Sequence, residues 1–134
     1  MEKRHDQPRR RILIVEDNDF LAVDLELTLG SHGYATRVAP NVGMALKDVA
    51  ELELDAALLD VSLFEGEPVF AVADALAIAR IPFVFLTGRS RRYLPERFRS
   101  VPLLSKPYQL LELLAALETA VGGSRNTGLG DRDE

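Results

Sequence analysis

Five residues able to do chemistry stand at the ends of short apolar runs that are far apart in the 134-residue chain. Glu16 and Asp17 follow Ile12–Val15, and Asp60 follows Ala56–Leu59. Thr87 follows Phe83–Leu86, and Lys106 lies just past Val101–Leu104 with Pro107 behind it. If those runs are neighbouring strands, three carboxylates, a hydroxyl and an ammonium meet at one rim. Three like charges brought together raise one another's pKa or demand a counter-ion. A hard divalent cation meets that demand, and an all-oxygen donor set suits Mg²⁺, which keeps several of its waters. Aspartate is also a nucleophile toward phosphorus and forms an aspartyl phosphate. A metal, a lysine and a hydroxyl are the groups that neutralise a phosphoryl group in transfer. Each residue alone has a plainer reading. An Asp at a strand end is commonly a cap or a solvated loop residue, and Glu16 and Asp17 could be the N-terminal charge of a following helix. Lys106 could be an ordinary surface lysine. What those readings do not explain is the agreement of four strand ends.

The elements that must position these residues alternate. Ile12–Val15, Ala56–Leu59 and Phe83–Leu86 are continuous apolar runs of the kind covered on both faces. Tyr34–Val38 is a weaker strand. Val101–Leu104 contains Pro102, which cannot donate to a ladder, so that strand belongs at a sheet edge. Helices are expected over 19–29 after Asn18, 41–51 after Asn41, and 68–79 with Pro68 in the first turn. A further helix over 108–121 carries Leu110, Leu113, Leu114, Leu117 and Val121 on one stripe, with Gly122 as its stop. Leu21, Val23, Leu25, Leu27 and Leu29 alternate like a strand, but length, Asn18 and the stop residues Gly30 and Gly33 favour helix. Residues 90–99 are the poorest helix, with Pro95 in the middle and arginines around it. Five β-α units imply a parallel sheet with right-handed crossovers. Three central and two edge strands fit a flavodoxin-like (βα)5 doubly wound α/β fold in the order 2-1-3-4-5. Its ligand crevice lies between strands one and three, where the acidic residues end.

Composition narrows the field. The length suits one domain, residues 11–121, between a charged arm (1–10) and a polar tail (122–134) that are expected to be disordered. Cysteine is absent, which excludes disulfides, thiolate metal sites and a Cys nucleophile. The net charge of −5 argues against sequence-independent nucleic-acid binding, so no direct DNA contact is expected. No stretch reaches the length of a membrane span and the first residues lack a signal-peptide core, which points to the cytoplasm.

As a set, these residues resemble a response regulator receiver domain of two-component phosphorelay signalling, over residues 11–121. The resemblance implies that Asp60 accepts a phosphoryl group from a histidine kinase or phosphotransferase. It also implies that Asp17, Asp60 and the backbone carbonyl of Ser62 bind Mg²⁺, with Glu16 acting through a metal-bound water. Thr87 and Lys106 would each take a phosphoryl oxygen, and the Lys106–Pro107 bond would be cis. Phe85-Leu86-Thr87-Gly88, with Asp60-Val61-Ser62-Leu63 and Gly66-Glu67, is similar to the stand-alone FATGUY receivers of alphaproteobacteria, with Leu86, Arg89 and Ser90 as departures. Such a protein is not an enzyme with an external product. It carries a signal to a downstream protein by contact, or drains phosphate as a sink. Leu103 stands where receivers carry a switching Tyr or Phe, and leucine has no hydroxyl to change partners. Switching would then rest on residues 88–99 as an order–disorder element.

Rival readings remain. A phosphatase of the haloacid dehalogenase type wants Asp-x-Asp, and Asp60-Val61-Ser62 lacks the second acid. A flavin or nucleotide binder wants a glycine-rich loop after the first strand, where Glu16-Asp17 would repel phosphate. A degenerate receiver that only scaffolds is the third. Arg89, Arg91, Arg92, Arg97 and Arg99 read as solvated surface, or as a docking face for an acidic partner or nucleic acid. Val69–Ile78, with Asp74 its only charge, reads as a well-buried helix or a partner surface. His5 and His32 lack ligand spacing.

Overall fold

Side chains of the central strands alternate between two apolar layers, as a period of two requires when both faces of a sheet are covered. Leu13, Val15, Ala57, Leu59, Phe83 and Phe85 point to one layer. Ile12, Ile14, Ala56, Leu58, Val84 and Leu86 point to the other. The computed structural model describes residues 9–61, 69–88 and 91–133, with side chains described as far as Gly122. Its strands are β1 (Arg11–Val15), β2 (Ala35–Ala39), β3 (Ala56–Asp60), β4 (Phe83–Thr87) and β5 (Leu103–Ser105). They form one parallel sheet in the order β2-β1-β3-β4-β5, with Ile12 opposite Ala56, Leu58 opposite Val84 and Phe85 opposite Leu103. β5 is an edge strand, as Pro102 requires, and the Pro102 carbonyl still accepts from the Phe85 N–H at 3.0 Å.

Among the described residues four α-helices cover the sheet: α1 (Asp19–Ser31), α2 (Val42–Glu51), α3 (Phe70–Ile78) and α4 (Leu110–Asp133). α1 and α4 bury Leu25, Leu29, Leu113 and Leu117 in one layer, while α2 and α3 bury Ala45, Val72 and Leu76 in the other. The ambiguous segment after residue 18 is helical because its ends are satisfied locally. Asn18 accepts from the Leu21 N–H at 3.0 Å, and Gly33, at φ 93°, takes the left-handed turn beyond the last residues. Asn41 caps α2 in the same way, through the Met44 N–H at 2.8 Å.

Two expectations need correction. The stretch expected as a fifth helix over 90–99 holds no α-helix among its described residues, 91–99. Arg91–Tyr93 and Glu96–Phe98 are separate 3₁₀ turns on either side of Pro95, whose ring removes a donor and disfavours helix at Leu94. The second concerns Gly122, read as a stop. The α4 backbone runs through it to Asp133, so the stretch from 122 continues a helix. Gly122 does not take a positive φ, and a helix already nucleated adds one more residue at little cost. The arm over residues 1–8 with His5, the Leu63–Phe64 and Gly66–Glu67 positions, Pro68, and Arg89–Ser90 lie outside the described residues.

Candidate functional site

The rim beyond the C-terminal ends of β1, β3 and β4 is built by residues that continue the ladder past the strands. Glu16 follows β1, and its N–H donates to the Ala39 carbonyl of β2 at 3.2 Å. That bond holds Glu16 inside, where it is 3% exposed, while Asp17 turns outward to the surface. Asp60 is the last residue of β3, in register with Leu86, and is also 3% exposed. Thr87 ends β4 and is buried. The Lys106 N–H donates to the Thr87 carbonyl at 2.8 Å, and the Lys106–Pro107 peptide bond is cis, as expected. This backbone brings the Lys106 ammonium across the rim to donate to Asp60 Oδ2 at 2.9 Å.

Glu16 and Asp60 are thus two buried carboxyls side by side, with one ammonium on the second. The Glu16 carboxyl is pushed up to about 7, first by burial, then by its hydrogen bond to Asp60 and the charge there. The Asn18 N–H, which donates to Glu16 Oε2 at 3.1 Å, and the Lys106 charge pull the other way. With Lys106 paired to Asp60, an ionised Glu16 adds a negative charge that the one ammonium does not offset. Paired oxygen donors with surplus charge are the chemistry that suits a hard cation. The third carboxylate has not joined them. Among the described residues no three Asp, Glu or His side chains stand together as a ready metal cluster. The Ser62 carbonyl lies outside the described residues.

The structure brings Glu16, Asp60 and Lys106 into one constellation, places Thr87 at the adjoining strand end, and leaves Asp17 exposed. It also brings in Tyr108, which sequence reasoning passed over. Tyr108 is half-buried, and burial first, then the charges of Glu16, Asp24 and Asp60, raise its phenol above the ordinary value. Its only sequence signal is its place right behind Lys106-Pro107. Arg91, Arg92, Arg97 and Arg99 are exposed, as a solvated surface would have them. Arg91 Nη1 donates to the carbonyls of Arg99 and Val101, each at 2.8 Å. Arg97 pairs with both Asp74 oxygens of α3 at 2.9 Å, and Arg99 Nε reaches the Leu94 carbonyl at 3.3 Å. Three of the five arginines therefore tie down their own segment. His32 is exposed, and its Nδ1 lies 2.9 Å from the Thr28 carbonyl.

No protein-family model matches the chain. The transcriptional regulatory protein PdtaR of Mycobacterium tuberculosis is 32% identical over 120 residues, covering 87% of this chain and 58% of PdtaR. The N-terminal domain of a response regulator/sensory box/GGDEF protein from Carboxydothermus hydrogenoformans superposes with a TM-score of 0.78 at 29% identity. That match covers 88% of this chain and 98% of the other. SdrG from Sphingomonas melonis is 40% identical with a TM-score of 0.71, covering 84% of this chain and 96% of SdrG. The chain belongs to the response regulator receiver family. It spans little more than half the length of PdtaR. Receivers are modules of two-component signalling that bind Mg²⁺ and meet histidine kinases and downstream effectors. Among the described residues of this receiver, no helix is long and apolar enough to cross a membrane.

Proposed function

We propose that this receiver, working as a unit over residues 11–121 in the cytoplasm, accepts a phosphoryl group on Asp60. The donor is a histidine kinase or a histidine phosphotransferase. The observation that carries this reading is the Lys106–Asp60 contact of 2.9 Å beside the buried Glu16. A carboxylate oxygen of Asp60 attacks phosphorus, the bond from phosphorus to the donor imidazole breaks, and the imidazole leaves with the electron pair. Lys106 is already on the acceptor carboxylate, so its charge is at hand for the new phosphoryl oxygens. Thr87, at the end of the neighbouring strand, is the hydroxyl donor for another phosphoryl oxygen. Asp17, Asp60 and the Ser62 carbonyl would hold Mg²⁺, with Glu16 acting on it through water. When bound, the cation supplies charge neutralisation at the transferring group. Water later hydrolyses the acyl phosphate, so the chain yields no external product. The phosphorylated form signals to a downstream protein by contact or serves as a phosphate sink.

Intact-mass measurement after incubation with acetyl phosphate and Mg²⁺ tests the reading. One added phosphoryl group is expected in the wild type and none in Asp60→Asn or in the presence of EDTA. Equal labelling of Asp60→Asn would contradict the assignment.

A further inference from the structure

α1 is apolar on two opposite sides. Ala22, Leu25 and Leu29 face the sheet and are buried. Phe20, Val23 and Leu27 face away from it and are 86%, 50% and 69% exposed. A surface helix of a globular protein carries its apolar residues on one stripe, and a helix that is apolar all round is covered on both sides. One exposed apolar side chain needs no partner, but three in register form a patch. The three do not border the clefts that α1 forms with Tyr108, whose walls take Leu21, Asp24 and Thr28. Their spacing is that of a helix–helix seam. Residues 20, 23, 27 and 30 follow the a/d pattern of a two-helix contact. The last of them is Gly30, where an added Cβ would meet nothing within 4 Å, so a neighbouring backbone can approach closely.

The residues beside the seam decide what can cover it. In that pattern the e and g positions are Asp19, Asp24, Glu26 and Ser31, and α1 contains no Lys or Arg. Charges at these positions select the partner and its orientation. A second copy laid on this face would set Asp19 of one chain against Asp24 of the other when parallel, and acid against acid when antiparallel. Like charges placed so cost affinity. The same acids repel a phosphate backbone and an anionic membrane surface. We propose that the outer face of α1 is a docking site for an amphipathic helix of another protein. The apolar stripe of that helix packs on Phe20, Val23 and Leu27, and its flanking Lys or Arg residues face Asp19, Asp24 and Glu26. The apolar anchors supply the affinity, and the flanking pairs reject helices with acidic flanks. The face stands apart from the Glu16–Asp60–Lys106 rim, so it can be occupied whatever the state of Asp60.

The test uses a synthetic heptad-repeat peptide, long enough to be helical alone, with Leu at a and d and Lys at e and g. Its control is the same peptide with Glu at e and g. Amide NMR of the full chain is expected to show shifts centred on Val23 and Leu27 with the Lys peptide and none with the Glu peptide, and the binding should weaken as salt rises. Leu27→Glu, on the exposed face where little packing is lost, should abolish these shifts and leave amides outside α1 as they are in the wild type. No response to the Lys peptide, equal responses to both peptides, shifts centred elsewhere, or undiminished binding by Leu27→Glu would each overturn the proposal. Sedimentation of the chain alone is expected to give a monomer. A dimer that Leu27→Glu dissociates would assign the face to a second copy and overturn the proposal too.

Discussion

Two parts of this small domain concentrate charge, and they do opposite things with it. At the rim, Glu16 and Asp60 are buried together, with one ammonium on Asp60. In the 91–101 segment, arginines lie near the surface with their donors spent on Asp74 and on backbone carbonyls. In the first, burial and then the neighbouring Asp60 push the Glu16 carboxyl up to about 7. The second is satisfied, and Asp74 is held below the usual carboxylate range by its hydrogen bonds to Arg97. Two acids buried against each other mark the reactive site, because a second negative charge in that place favours uptake of a cation or a proton.

The comparison can be broken at several points. The largest effect is expected where the arginine segment is held by apolar packing rather than by charge. Phe98 is 3% exposed and stacks on Phe70 at 5.8 Å, with Phe83 and Phe85 edge-on. Phe98→Ala should cost about 3–4 kcal/mol, read by urea or thermal unfolding. A loss below 1 kcal/mol would mean that the arginines carry the segment.

Glu16→Gln comes next, with the opposite sign. The folded pKa of Glu16 lies above its unfolded value of 4.5, at about 7. The folded state therefore keeps a proton that the unfolded state releases, and stability from this group falls as pH rises from about 4.5 to 7. Glutamine removes the charge, so the variant should be more stable than wild type by about 2 kcal/mol at pH 8, with the gain vanishing toward pH 4. Unfolding curves at several pH values check this. A gain that does not depend on pH would remove the surplus charge from the explanation.

The smallest effect belongs to the exposed pair. Arg97→Gln should lower the melting temperature far less than Phe98→Ala, and high salt should erase the difference. A salt-independent loss as large as that of Phe98→Ala would contradict the view that this charge is merely satisfied.

Much of this was legible in the chain. Runs such as Ile12–Val15 and Phe83–Leu86 mark central strands because only a sheet covered on both faces needs them. Pro102 marks the edge strand, and Asn18 and Asn41 mark helix starts, since each acts through local backbone chemistry. The convergence of Glu16, Asp60 and Lys106 was legible through topology, which fixes where strand ends meet. The rest depends on packing that sequence spacing does not encode. Whether Glu16 or Asp17 turns inward is decided by one ladder bond to Ala39. The arginine run reads as surface and is exposed, but its pairing with Asp74, 23 residues away from Arg97, is set by packing. Gly122 reads as a stop because composition reports propensity, whereas the end of α4 also depends on a helix already in progress. Tyr108 carries no motif of its own, and only its half-burial beside the charges of Glu16, Asp24 and Asp60 draws notice.

The most direct test of the central claim is to locate the modified residue. Phosphorylation with acetyl phosphate and Mg²⁺, followed by borohydride reduction, converts an aspartyl phosphate to homoserine, which peptide mass spectrometry places in the chain. Homoserine at position 60 and nowhere else is the expected result. Homoserine at position 17 or another acid, with position 60 intact, would contradict it.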